Sequence, residues 1–160
     1  PFTPSSCTLA AYAPIGGGLF GHHVDKVVAV VKAFSTCVGE GPFVTTMDKE
    51  EADVLREFAK EYGAATGRPR TIGHFDAVAT RYGVWAQGAT EVAVTKLDSL
   101  SGRKTLKICT HYEWRGKRYD RFPLNAVLEE ATPVYVEMPG WNEDITGVRG
   151  VGAIRKTAQA

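Results

Sequence analysis

Apolar positions along this 160-residue chain recur with two different periods. Between Asp25 and Phe34, the residues Val27, Val28, Val31 and Phe34 share one helical face. So many valines also suit a strand, but the length of the stretch favours a helix. Asp48 opens a clearer helix, with Glu51 at the capping-box position, a buried stripe of Leu55, Phe58, Ala59 and Tyr62, and a stop at Gly63. A further helix carries Phe75, Val78, Ala79, Tyr82 and Ala86 on one face, with Trp85 read as core, and "TEVAVTKLD" follows as a short buried strand. From Thr105 to Trp114 the period changes to two, placing Leu106, Ile108, Thr110, Tyr112 and Trp114 on one side. The tripeptide "RGK" then turns the chain into a returning strand near Tyr119 to Phe122, which makes a hairpin. A short helix from about Asn125, a strand through Val134 to Val136 and the loop "MPGWNEDITGVRG" complete the pattern. Helices mixed with strands, without internal repeat, indicate an α/β fold, with residues 1–160 forming a single domain or part of one.

Composition narrows the function. Nineteen basic residues stand against eighteen acidic ones, for a formal charge of +1, so broad attraction to nucleic acid or to an anionic membrane is not expected and any anion site must be local. The longest apolar run, around Val27 to Phe34, is broken by Lys32 and is too short to span a bilayer. Cys7, Cys37 and Cys109 are an odd set of widely spaced cysteines without a metal-ligand pattern, which suits a reducing, cytoplasmic setting. The opening "PFTPSSC" has neither a methionine nor a recognisable first element and reads as a fragment or a chain whose beginning was not captured; "GGGLFG" closes that small-residue stretch.

The loops carry the chemistry. Thr66, Gly67, Arg68, Pro69 and Arg70 bring a hydroxyl, a glycine amide and two guanidinium forks within five residues. Such forks hold carboxylates or phosphates through paired charge-assisted hydrogen bonds, and the proline between them limits how far they wander. "TKLD", Thr95 to Asp98, follows directly on the strand Val92 to Val94. In guanine sites an aspartate so placed accepts from the ring N–H and the exocyclic amine, while the lysine stem covers the base. No G-x-x-x-x-G-K-[ST] phosphate loop occurs, so the base reader stands without its phosphate cradle. His22 and His23 read as a solvated pair, Cys37 as loop packing, "MPGW" as a rigid structural turn, Trp114 as core, and Glu143 with Asp144 as surface.

"VGEGPF" at Val38 to Phe43, "TGRPR" at Thr66 to Arg70, "FDAVATRY" at Phe75 to Tyr82, "TKLD" at Thr95 to Asp98 and "MPGW" at Met138 to Trp141, taken in order and spacing, resemble the adenylosuccinate synthetase family. The resemblance covers essentially the whole chain and corresponds to the second half of the usual enzyme. It implies part of a P-loop-NTPase-like mixed α/β fold with a central sheet, flanking helices and a β-hairpin. It implies an enzyme that condenses IMP with L-aspartate in purine nucleotide biosynthesis, using GTP to phosphorylate the 6-oxygen of IMP, with Mg2+ required and a homodimer as the usual assembly. By the same resemblance Ala64, Ala65, Thr66, Gly67, Arg68, Pro69 and Arg70 form the aspartate loop, Arg68 and Val38 reach IMP, Arg70 reaches GTP, and Lys96, Leu97 and Asp98 read the guanine. The family's N-terminal phosphate loop, catalytic aspartate and following histidine have no counterpart here, so catalytic groups and metal ligands are expected outside this segment, and the chain alone is expected to be inactive. Pro4 stands in place of an IMP-binding threonine, Cys37 in place of an arginine and Ala65 in place of a second loop threonine. A diverged, non-catalytic guanine-nucleotide-binding or dimerisation module is the alternative reading.

Overall fold

A computed structural model of the chain describes residues 18, 21, 23–150 and 152–153. Pro4, Cys7, His22 and most of the glycine-rich opening lie outside the described residues. The element order is β1 (Val28–Lys32), β2 (Ser35–Cys37), α1 (Lys49–Ala59), β3 (Thr71–Gly73), β4 (Phe75–Asp76), α2 (Ala77–Gln87), β5 (Glu91–Thr95), a 3-10 turn (Asp98–Leu100), β6 (Thr105–Trp114), β7 (Lys117–Tyr119), α3 (Asn125–Leu128) and β8 (Thr132–Pro139).

The valine-rich stretch expected to be helical is strand β1, paired in parallel with β5 from Val28 opposite Glu91 to Lys32 opposite Thr95. Parallel strands covered on both faces read as unbroken apolar runs, and periodicity alone does not separate such a run from a helix. The strand "TEVAVTKLD" is present but not buried. Val28 and Val30 on one face of the pair, and Val92 and Val94 on the other, are all exposed, Val30 at 71%.

Helix α1 turns Ala52, Leu55 and Ala59 inward against Phe34, Met47, Ile72 and Leu100, the spacing of three and four that a helical stripe requires. Phe58, expected in that stripe, is 65% exposed. Asp48 stands at the N-cap without a side-chain bond, so the expected capping box does not form, and Glu51 instead forms an ion pair with Arg103. The helix stops before Gly63. Lys60 adopts the left-handed conformation at φ 54°, its N–H bonding to the Arg56 carbonyl, and the chain leaves the helical path there.

Strand β6 is the spine of the larger sheet. One of its edges pairs antiparallel with β8, and the other pairs with β4 and, through the expected hairpin, with β7. A bulge between Cys109 and His111 shifts the register, so Cys109 and Tyr112, three apart, both enter the core with Val78 and Leu128. The strict alternation expected of this strand is broken at that point. Helix α2 begins at Ala77 rather than including Phe75. Its N-cap is Asp76, whose Oδ1 accepts from the N–H groups of Val78 and Ala79 at 3.0 Å each. Trp85 is 75% exposed and Trp114 lies at the rim, its Nε1 donating to Glu130 and its ring covered by Arg115; neither is the core residue expected.

The "MPGW" segment, expected as a rigid turn, is instead the end of β8, with Met138 opposite Leu106 and Pro139 opposite Thr105, followed by a close backbone approach at Gly140. The Gly140 N–H donates to the Lys104 carbonyl, the Gly102 N–H to that of Trp141, and the Trp141 indole to Ser101. A Cβ at residue 140 would lie 1.8 Å from the Arg103 carbonyl oxygen, so only glycine fits this close approach.

Candidate functional site

The arginine loop leaves the left-handed Lys60, crosses residues 61–70 and returns beside its own start. Its ends are stitched by the Gly63 N–H to the Arg68 carbonyl, the Arg70 N–H to the Glu61 carbonyl, and a bridge between Tyr62 and Pro69. Gly67 sits at φ 65°, with its N–H bonding back to the Gly63 carbonyl, which closes the tip tightly. Residues 64–69 are exposed. Arg56 Nε donates to the Arg70 carbonyl at 2.8 Å and ties the loop to α1.

The two arginines have different surroundings. Arg68 is exposed, and its guanidinium makes no hydrogen bond or ion pair among the described residues. It lines a polar cleft of about 540 Å3 with Cys37, Val38, Gly39, Glu40, Pro69 and Thr71. Val38 and Arg68, assigned to one ligand by resemblance, are therefore brought together, and Cys37 stands beside them. The cleft has the size of a small-molecule site. Arg70 is partly buried, and its Nη1 donates to Glu61 at 3.0 Å while its buried Nε has no partner among the described residues.

Glu61 was not singled out in the sequence, yet it is the centre of the charged cluster. It is 2% exposed. Its Oε2 accepts from Lys32 Nζ at 2.7 Å and from Arg70, and its Oε1 lies 3.2 Å from Lys96 Nζ. Burial would raise its carboxyl, but hydrogen bonds from Lys32 and Lys96 and their charges hold it below the usual carboxylate range. Lys32 is pushed down, first by burial and then by the neighbouring Arg70 and Lys96 charges, against the pull of Glu61. Three cations on one carboxylate leave positive charge in excess, which suits an anion.

The "TKLD" segment lies where expected, at the C-terminal end of β5. Lys96 adopts φ 59°, a left-handed conformation costing a non-glycine residue about 1–2 kcal/mol, and its Nζ donates to the Ala59 carbonyl at 2.5 Å as well as facing Glu61. Leu97 points elsewhere, lining an apolar cavity of about 250 Å3 beside Leu100, Leu106 and Trp141. Asp98 opens the 3-10 turn, and its carboxylate makes no hydrogen bond or ion pair among the described residues. Glu61 thus joins the arginine loop to the segment that carries Asp98. The signal that could have revealed it is weak: an acid directly after the helix end, in front of a loop rich in cations.

Strand ends bearing charged loops, with a ligand-sized cleft beside them, define a ligand-binding segment of a mixed α/β fold. A family profile for adenylosuccinate synthetase matches residues 1–160. The chain belongs to the adenylosuccinate synthetase family. It is 52% identical over 159 residues to adenylosuccinate synthetase 2 of Pseudoalteromonas translucida and 45% identical over 160 residues to adenylosuccinate synthetase of Exiguobacterium sp.. Each alignment takes in 99% of this chain, which spans 37% of each relative's length. A solved structure of fully ligated adenylosuccinate synthetase from Plasmodium falciparum superposes with a TM-score of 0.81 at 32% identity, covering 92% of this chain and 36% of that one.

Proposed function

We propose that this segment supplies the aspartate loop and the guanine-reading motif of a GTP-dependent C–N ligase that forms adenylosuccinate from IMP and L-aspartate. The observation that carries the reading is the cluster at Glu61, which sets the arginine loop against the "TKLD" turn, so that groups for a carboxylate, a phosphate and a base stand within one region. In this reading Ala64 to Arg70 close over aspartate, Arg68 and Val38 bound the IMP cleft, Arg70 neutralises nucleotide phosphate, and Asp98 accepts from guanine while the Lys96 stem covers the ring. Leu97 supports that turn from its apolar cavity.

Mg2+ would neutralise charge on the transferring phosphoryl group. Among the described residues no group of three or more His, Cys, Asp or Glu side chains is arranged to hold a metal ion, and the reading places no metal ligand and no catalytic base in this segment. It takes the working enzyme to be a cytoplasmic homodimer.

The test is the nucleotide preference of Asp98→Asn in an enzyme of full family length carrying these residues. An amide placed opposite the exocyclic amine sets donor against donor, so GTP should bind worse. Xanthosine triphosphate presents an oxygen there, so its use should improve and the preference reverse. Equal losses for the two nucleotides would refute the assignment of Asp98.

A further inference from the structure

The three cations that meet at Glu61 come from separate elements: Lys32 from the end of β1, Arg70 from the return of the arginine loop, and Lys96 from the turn after β5. Glu61 itself follows the left-handed Lys60 that ends α1. Lys96 has both its acceptors there, Glu61 and the Ala59 carbonyl, so its stem spans the gap from the end of β5 to the end of α1. Lys96 holds a left-handed backbone, φ 59°, while its Nζ is anchored at both of these acceptors. The next two residues, Leu97 and Asp98, start the turn that carries the Asp98 carboxylate, which has no partner among the described residues.

We propose that Glu61 is a positioning residue for guanine-nucleotide use: it fixes Lys96, and through Lys96 the turn presenting Asp98, and it ties that turn to Arg70. The inference rests on the reading of Lys96 and Asp98 given above. Glu61 is buried behind the side chains it holds and acts through them. The same carboxylate holds Nη1 of the Arg70 guanidinium, while Nη2 makes no bond among the described residues and is left for an anion. Lys32 contributes by occupying Oε2, with a further bond to the Thr36 hydroxyl at 2.9 Å that orients its ammonium.

The experiment compares Glu61→Gln and Glu61→Asp in an enzyme of full family length carrying these residues, with KM measured for GTP and IMP and the GTP-over-ITP preference measured alongside. ITP lacks the exocyclic amine, so the preference reports how well Asp98 is presented. Losing the charge of a buried hydrogen-bonded carboxylate should raise the GTP KM about tenfold in Glu61→Gln and reduce the GTP-over-ITP preference, with the IMP KM staying within about twofold. Glu61→Asp keeps the charge and the fold but is too short to reach Lys96 and Arg70 together, so it should show the same GTP-selective defect to a smaller degree. It decides the matter if Glu61→Gln does not fold. A folded Glu61→Asp enzyme with the parent's GTP KM and preference would overturn the proposal, as would equal rises for GTP and IMP. If Asp98→Asn reverses the nucleotide preference while Glu61→Asp changes nothing, the positioning role alone falls. If Asp98→Asn leaves the preference unchanged, the base-reading assignment falls and takes this inference with it.

Discussion

Arg68 and Arg70 are two residues apart and chemically identical, yet their surroundings give them different work. Arg70 is half-committed to a buried carboxylate, whereas Arg68 is exposed with its whole fork available to the cleft that Val38 also lines. Of the two, Arg68 is therefore the one whose loss should fall on a substrate carboxylate. In an enzyme of full family length, Arg68→Leu should raise the apparent aspartate constant most, since leaving a desolvated carboxylate without its fork costs roughly 2–5 kcal/mol. Arg68→Lys should recover only part of that, because a point charge does not reproduce two parallel hydrogen bonds. Parent-like aspartate constants in both variants would refute the loop assignment. The pairing of Val38 with Arg68 was legible in the sequence only through family resemblance, and Glu61 carried only the weak signal of an acid just past a helix end. A left-handed Lys60 takes Glu61 off the helical wheel, so the periodicity that marks Leu55 and Ala59 as inward says nothing about it.

At the scale of elements, Asp76 joins helix α2 to the sheet. One oxygen caps the helix through Val78 and Ala79, and the other accepts from the buried Tyr112 hydroxyl at 2.6 Å. Burial pushes the Asp76 carboxyl above its ordinary range, against the bonds from Tyr112, Ala79 and Val78, and pushes the neighbouring Cys109 thiol up to about 12. Asp76→Ala removes the cap and orphans the Tyr112 hydroxyl, so a loss of roughly 2–4 kcal/mol is expected. Asp76→Asn keeps an acceptor for the helix and should lose less than half as much. The pH dependence has a definite sign. A carboxyl raised in the folded state stabilises most below its unfolded value and loses that contribution as pH rises through the folded one, so the parent's margin over Asp76→Asn should shrink with rising pH. Melting curves across the acid-to-neutral range check both statements, and a margin that grows with pH would contradict them. The sequence marked the existence of this helix and of the hairpin through their local periods, although the helix starts after Phe75 and the alternation of β6 breaks at its bulge. It mistook β1 for a helix because a parallel strand has no period of its own and depends on a partner 63 residues away, Val28 opposite Glu91.

For the whole molecule, the exposed valines of β1 and β5 are the feature that connects fold to activity. A parallel pair belongs inside a sheet covered on both faces, yet Val28, Val30, Val92 and Val94 stand open on the two sides of this one. The charged cluster at Glu61 lies at the end of that same pair, since Lys32 ends β1 and Lys96 follows β5. The chain holds no G-x-x-x-x-G-K-[ST] phosphate loop, and its span is 37% of the relatives' length. Positioning and charge neutralisation alone do not supply the proton transfer that the condensation needs. The purified 160-residue chain, given IMP, L-aspartate, GTP and Mg2+, should therefore form no adenylosuccinate above background. Adding back the remaining part of a relative such as the Pseudoalteromonas translucida enzyme, as a separate chain, should restore synthesis and at the same time protect the β1 and β5 amides from hydrogen exchange. The absorbance change on conversion of IMP reads the first effect. Measurable synthesis by the 160-residue chain alone would show that the base and the phosphate-binding groups lie within these residues after all.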